Sequence, residues 1–144
     1  FSEQCSLSFW VKADSWSSPS GPKLLSLSEN YCVYQAQPGV VHNHACCHWG
    51  GTWFGGDLDK PITSWRHCLL VFDKNQVTYF VDGEQDGTIK TISSQPSETE
   101  LKIGFGGSAG NPLNCNIAAV RIFKKSLSQT EITTLANEFS PTDR

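Results

Sequence analysis

Residues 41–60 hold most of the side chains here that could do chemistry: His42, Asn43, His44, Cys46, Cys47, His48, Trp49, Trp53, Phe54, Asp57 and Asp59. Gly50, Gly51, Gly55 and Gly56 interrupt the stretch, so it reads as a surface segment. Indole rings exposed on a surface generally cover core, partner or ligand. Sugar rings have apolar C–H faces that stack on indole. Their hydroxyls need directional partners such as carboxylates, amides and imidazoles. Asn43, His44, His48, Asp57 and Asp59 supply these beside Trp49 and Trp53, and an apolar wall with a few polar groups is the pattern of a binding pocket. The expected ligand is a glycan. The competing reading is that the aromatics anchor a loop. Trp16, in an earlier turn-rich segment, is a further rim candidate.

Metal chemistry is the next question. On a strand, His42, His44 and Cys46 would share one face, and zinc takes such N and S donors. Their spacing matches no finger or catalytic pattern, however. Calcium wants six to eight oxygens. Only Asp57, Asp59 and Asp82 are candidates, with Asp57 and Asp59 preferred because Asp82 suits turn chemistry. No pair of carboxylates is spaced to flank a scissile bond. The run Gly104-Phe105-Gly106-Gly107 opens no helix with a following Lys, so it is not a phosphate loop. The chain is expected not to be an enzyme.

The elements that position these groups are mostly strands. Residues 5–12 alternate, with Leu7, Phe9 and Val11 on one face and Ser6, Ser8 and Trp10 on the other. Short strands follow at 24–28, 31–35 and 40–45. Residues 50–60 read as a loop or an irregular strand pair. Residues 64–72 form a strand that is apolar on both faces after His67, as a central strand should be. Lys74-Asn75 and Asp82-Gly83 are hairpin turns around a strand at 76–81. Leu101, Ile103 and Phe105 mark another strand, and residues 117–123 the last. Ser128 and Glu131 form a capping box. Ile132, Leu135, Ala136 and Phe139 then recur at helical spacing until Pro141. These elements make an all-β, antiparallel two-sheet sandwich with one short C-terminal helix, in a single domain over residues 1–144.

The phrases Ser8-Phe9-Trp10-Val11-Lys12, Trp65-Arg66-His67-Cys68-Leu69-Leu70-Val71-Phe72-Asp73, Val77-Thr78-Tyr79-Phe80-Val81-Asp82-Gly83, Leu101-Lys102-Ile103-Gly104 and Ile117-Ala118-Ala119-Val120-Arg121-Ile122-Phe123 occur in fixed order. With Leu127-Ser128-Gln129-Thr130-Glu131-Ile132, they resemble the laminin-G-like (concanavalin A-like) jelly roll of lectins, pentraxins and adhesion modules. The resemblance implies core roles for Trp10, Trp65, Tyr79 and Phe123, and calcium as a possible cofactor. It also implies that the first and last strands are neighbours, which makes Cys5–Cys115 the preferred disulfide. Cys32, Cys46 and Cys47 lie in adjacent segments that a local bridge would rigidify. Cys68 replaces a core residue and is expected to be a buried thiol.

The chain of 144 residues, 38% hydrophobic and 17% charged, is globular in composition. A net charge of −3 without a basic cluster argues against nucleic acid. No apolar run is long enough to insert into a membrane. Six cysteines favour disulfides and a secreted, extracellular location. The chain begins at Phe1 and has no Met, which suggests a processed chain or an excised domain. Two functions follow. One is a homo-oligomeric lectin that binds glycans or glycoproteins and gains avidity from several weak sites. The rival is a protein-binding adhesion or scaffold module of a larger extracellular protein, with the same aromatics as its hot spot. The accessory binding domain of a glycosidase is a minor third reading.

Overall fold

The computed structural model describes residues 4–15, 22–37, 41–93, 96–97, 100–104 and 115–138. Trp16, Phe105 and the glycine run after it, Phe139 and Pro141 lie outside the described residues. The elements are β1 (Gln4–Ala13), β2 (Lys23–Ser28), β3 (Tyr31–Gln37), β4 (Val41–Trp49), β5 (Thr52–Phe54), β6 (Arg66–Asp73), β7 (Gln76–Val81), β8 (Glu84–Gln85), β9 (Lys90–Thr91), β10 (Lys102–Ile103), β11 (Cys115–Phe123) and α1 (Gln129–Glu138). They form two antiparallel sheets. The first runs β11-β1-β6-β7-β8, with β9 also on β7, and the second runs β10-β2-β3-β4-β5.

Strand alternation builds the core between the sheets. Leu7, Phe9 and Val11 point inward from β1 and are wholly buried. Cys68, Leu70 and Phe72 of β6 and Val77, Tyr79 and Val81 of β7 join them. The second sheet contributes Leu25, Tyr31, Val33, Cys47, Trp49 and Phe54. β6 is apolar on both faces because α1 covers the outside. There Leu69 and Phe80 pack against Leu127 and Ile132, with Phe123 and Leu135 alongside. The capping box forms as the sequence requires. The Glu131 amide donates to Ser128 Oγ at 3.3 Å, and the Ser128 amide donates to Glu131 Oε2 at 2.8 Å. Ser6 fixes the helix entry, since its Oγ donates to the Lys125 carbonyl and accepts from the Leu127 amide.

Two expectations are corrected. The strand expected over residues 40–45 instead continues to Trp49. A two-residue hairpin then joins Trp49 to its partner Thr52. Gly50 and Gly51 take φ values of +57° and +79°, as a type I′ turn demands, so these glycines make a tight turn rather than a loop.

The disulfides are the second correction. All six cysteines are described, and none is bridged. β1 and β11 are indeed neighbours. However, Ser6 lies opposite Phe123 while Ala13 lies opposite Cys115, so Cys5 and Cys115 sit at opposite ends of one antiparallel ladder. At ~3.3 Å per residue they are roughly 25 Å apart, far beyond the ~7 Å a disulfide can span. Cys46 and Cys47 point to opposite faces of β4, and Cys32 Sγ donates to the Ser28 carbonyl at 2.7 Å. Cys68 is a buried core thiol. Burial pushes its pKa up to about 12 and that of Cys115 to about 11.

Candidate functional site

The outer face of the second sheet gathers part of the expected site. Register places His48 opposite Cys32 on one side and opposite Trp53 on the other. Tyr34 lies opposite Cys46. Three half-buried rings therefore share one face of β3, β4 and β5. The His48 and Trp53 rings are 4.7 Å apart with planes tilted 31°. The Tyr34 and Trp53 rings are 5.2 Å apart with planes tilted 44°. Beneath this row Cys32 and Cys46 are fully buried, although they face outward. The rings are thus a lid on two thiols as well as a surface.

Charged groups border the row at its Tyr34 end. Lys23 Nζ sits 5.9 Å from the Tyr34 ring centroid and 2.7 Å from Glu29 Oε1. The Lys23 side chain is 9% exposed, whereas that of Glu29 is 86% exposed. The hydrogen bond from Lys23, aided by its charge, holds the Glu29 carboxyl below its ordinary range. His48 Nδ1 lies 3.3 Å from the Glu29 carbonyl, which can only accept. Burial, helped by the neighbouring Cys32 thiol, pushes the Tyr34 phenol far above its ordinary pKa, so it stays an O–H group.

The other expected contacts lie elsewhere. Trp49 is a correction: alternation turns it opposite to His48, and it is 1% exposed in the core. It packs 5.5 Å from the Tyr31 ring and 5.2 Å from the Phe72 ring. Its stacking role is physically closed. His44 lies in the irregular part of β4, between Cys46 opposite Tyr34 and His42 opposite Ala36, where four residues of β4 span two of β3. Asn43 has a φ of +59°, and its Oδ1 lies 3.5 Å from Gln35 Nε2. Asp57 and Asp59 follow Gly55 and Gly56 on the segment that crosses toward the first sheet. Asp86 clamps that segment by accepting the Gly56 and Asp57 amides at 2.9 and 2.8 Å. No group of three or more His, Cys, Asp or Glu among the described residues could hold a metal. Asp57 and Asp59 thus have no third such side chain grouped with them among the described residues, and the zinc reading of residues 42–46 rests in part on His42, whose side chain lies outside the described residues. Asp82 is committed to the Arg66 guanidinium and the His67 amide, at 3.0 and 2.9 Å.

Tyr34, Lys23 and Glu29 were not expected from sequence. They lie on β2, β3 and the turn between, and only the sheet register brings them to Trp53.

One further pair has catalytic residue types. Ser8 Oγ lies 2.8 Å from His67 Nε2. Ser8 is 2% exposed and His67 1%, so no substrate reaches them, and His67 Nδ1 has no partner among the described residues. This is a buried packing contact on the helix-covered sheet. A separate apolar groove of about 480 Å³ lies beside α1, between Phe123, Leu127 and Leu135.

Comparison with known proteins agrees with the fold. Residues 2–133 match the family described as the concanavalin A-like lectin/glucanases superfamily. No curated protein sequence matches the chain closely. Among solved structures, the binding domain of Paraclostridial Mosquitocidal Protein 1 aligns with a TM-score of 0.69 at 15% identity, over 94% of this chain and 37% of that one. The receptor-binding domain of botulinum neurotoxin type G aligns with a TM-score of 0.70 at 12% identity, over 94% and 38%. Domain 4 of the extracellular arabinanase AbnA from Geobacillus stearothermophilus, solved with arabinotriose, aligns with a TM-score of 0.63 at 17% identity, over 94% and 67%. The chain spans little more than a third of the two toxin chains. At these identities the likeness shows the fold.

Proposed function

This chain belongs to the concanavalin A-like lectin/glucanase superfamily, and we propose that within it the chain is a non-catalytic, carbohydrate-binding module of an extracellular protein. The observation that carries this reading is the row of Tyr34, Trp53 and His48 rings on an outer sheet face, with Glu29 and Lys23 at its end. A face of this kind can stack on a sugar ring and bond its hydroxyls. Trp53 is the stacking ring, Tyr34 flanks it, and His48 and Glu29 bond hydroxyls. Asn43, which accepts from the buried Gln35, and His44, in the irregular part of β4, stand apart from the row. Asp57 and Asp59 could contribute only to a longer ligand that reaches the crossing segment. The arabinotriose-bound neighbour supports the ligand class. No helix among the described residues is long and apolar enough to cross a membrane. A single site of this size binds weakly, so homo-oligomers would supply avidity.

A glycan array probed with the purified chain, with calcium and with a chelator, tests the proposal. Binding to a related set of glycans in both conditions is expected. A blank array in both conditions would refute it.

Protein binding is the second reading. It is favoured by Ile103 on β10 and Ile122 on β11, which are 53% and 54% exposed on the outermost strands of the two sheets. Another neighbour, the binding domain of botulinum neurotoxin DC, was solved in complex with rat synaptotagmin II.

A further inference from the structure

We propose that β11 is a self-pairing edge, along which two copies of this chain join antiparallel about a two-fold axis. This contact is independent of the carbohydrate reading and gives the exposed isoleucines a partner.

An open sheet edge is a template for another chain, and proteins usually blunt it by shortness, Pro or charge. Among the described strands, β5, β8, β9 and β10 bound the sandwich elsewhere and have only three, two, two and two residues. β11 has nine residues and, among the described residues, pairs only with β1. Residues 115–120 include no Pro, no Gly and no charge. The one irregularity is a bulge. Arg121 lies opposite Ser8 and Ala118 opposite Trp10, so β11 holds one more residue than β1 here, and Ala119 has a φ of +50°.

The bulge decides the partner, because it shifts the parity of the strand. Before it, Cys115 and Ile117 face inward opposite Ala13 and Val11, and after it Ile122 faces inward opposite Leu7. A regular strand alternates without a break. Along this edge it would either mismatch faces on one half or leave a residue unopposed. A second β11 laid antiparallel carries its own extra residue at the same place. With Ile117 opposite Ile122 of the second copy, Ala118 meets Arg121 and Asn116 meets Phe123, and both members of each pair share a face. Ala119 meets Val120 at the centre. Symmetry repeats each pair, as an isologous contact requires. Arg121 is the one charge in this span, it faces alanine, and Glu138 holds it at 2.8 Å.

The exposed apolar surface belongs to the same contact. Ile122 is 54% exposed although it points toward the core. Phe54 of β5 packs on Tyr79 of β7, and Trp49 of β4 packs on Phe72 of β6. The strand orders of the two sheets therefore put β10 on the same open side as β11. Ile103 of β10 lies opposite the core residue Leu25 and is 53% exposed at that side. A second copy joined at β11 brings its own isoleucines against these.

Sedimentation velocity of the purified chain from about 5 to 500 µM tests the contact. An interface at the small end of the stable range should give a reversible dimer with a Kd of roughly 10–100 µM. Amide hydrogen exchange should slow along β11 as concentration rises, and not along β5. Ile122→Lys puts a charge on each copy at the joint and should weaken dimerisation at least about tenfold. Its monomer should melt within a few degrees of wild type, since residue 122 is half exposed. Ile122→Thr should weaken the dimer less. A chain that stays monomeric over this range, association beyond dimers, or a dimer protected elsewhere than β11 would overturn the proposal. So would a folded Ile122→Lys that dimerises as tightly as wild type. Should Ile122→Lys not fold, Ile122→Thr and the wild-type exchange pattern decide in its place.

Discussion

Replacing Trp49 and Trp53 separately with alanine should divide their roles cleanly, because strand alternation sends the two rings to opposite sides of one sheet. Trp49 is 1% exposed and wedged between Tyr31 and Phe72. Truncating a buried indole leaves a cavity and costs about 3–5 kcal/mol. In a domain of this size each kcal/mol moves the melting temperature by about 2–4 °C, so Trp49→Ala should melt roughly 10–15 °C below wild type. Trp53 sits on the three-residue edge strand β5 and is only half-buried. Its loss should lower stability by about 1 kcal/mol or less. If it is the stacking ring, its loss should weaken glycan binding by about 2 kcal/mol, close to 30-fold. Circular dichroism melts give the stability of each variant. Titration calorimetry with the best glycan from the array gives the affinity. A Trp53→Ala protein that unfolds as Trp49→Ala does would make Trp53 a core residue. One that folds and binds as wild type would remove the rings from the site.

The pH dependence of stability follows from His67. Burial drives its pKa from the ordinary 6.5 down to about 4, opposed in part by Asp82. Between these values the unfolded chain binds the proton and the folded chain does not. Stability is therefore full above pH 6.5 and falls as pH drops toward 4, by about 3 kcal/mol at 1.36 kcal/mol per unit. Denaturant titrations of His67→Gln across this range should show a flattened slope, and an unchanged slope would refute the assignment. The cysteines give another check. A melt with and without reductant should coincide, and the denatured chain should titrate six thiols; a large loss of stability in reductant would show that bridges form.

How far sequence reaches here depends on whether a feature is local. β1, β6 and β7 were legible because alternation over a few residues decides which side chains enter the core. The capping box at Ser128 and Glu131 was legible for the same reason, as four consecutive residues complete it. Tyr34, Lys23 and Glu29 were not legible as partners of Trp53, since only the pairing of β2, β3, β4 and β5 joins them. Cys5 and Cys115 are a different case. Adjacency of their strands came from the family resemblance, and in the antiparallel sheet expected from the sequence that adjacency itself sets a residue at the start of β1 a strand's length from one at the start of β11. Trp49 was misplaced by its glycine neighbours, which resemble loop composition. Positive φ at Gly50 and Gly51 makes them a tight hairpin instead. Once that turn is recognised, one choice of parity settles the whole segment. Trp49 and Thr52 pair across the turn, so His48 and Trp53 become direct partners on the next rung and share the face opposite to Trp49. That single parity puts Trp49 into the core and His48 with Trp53 onto the candidate binding face.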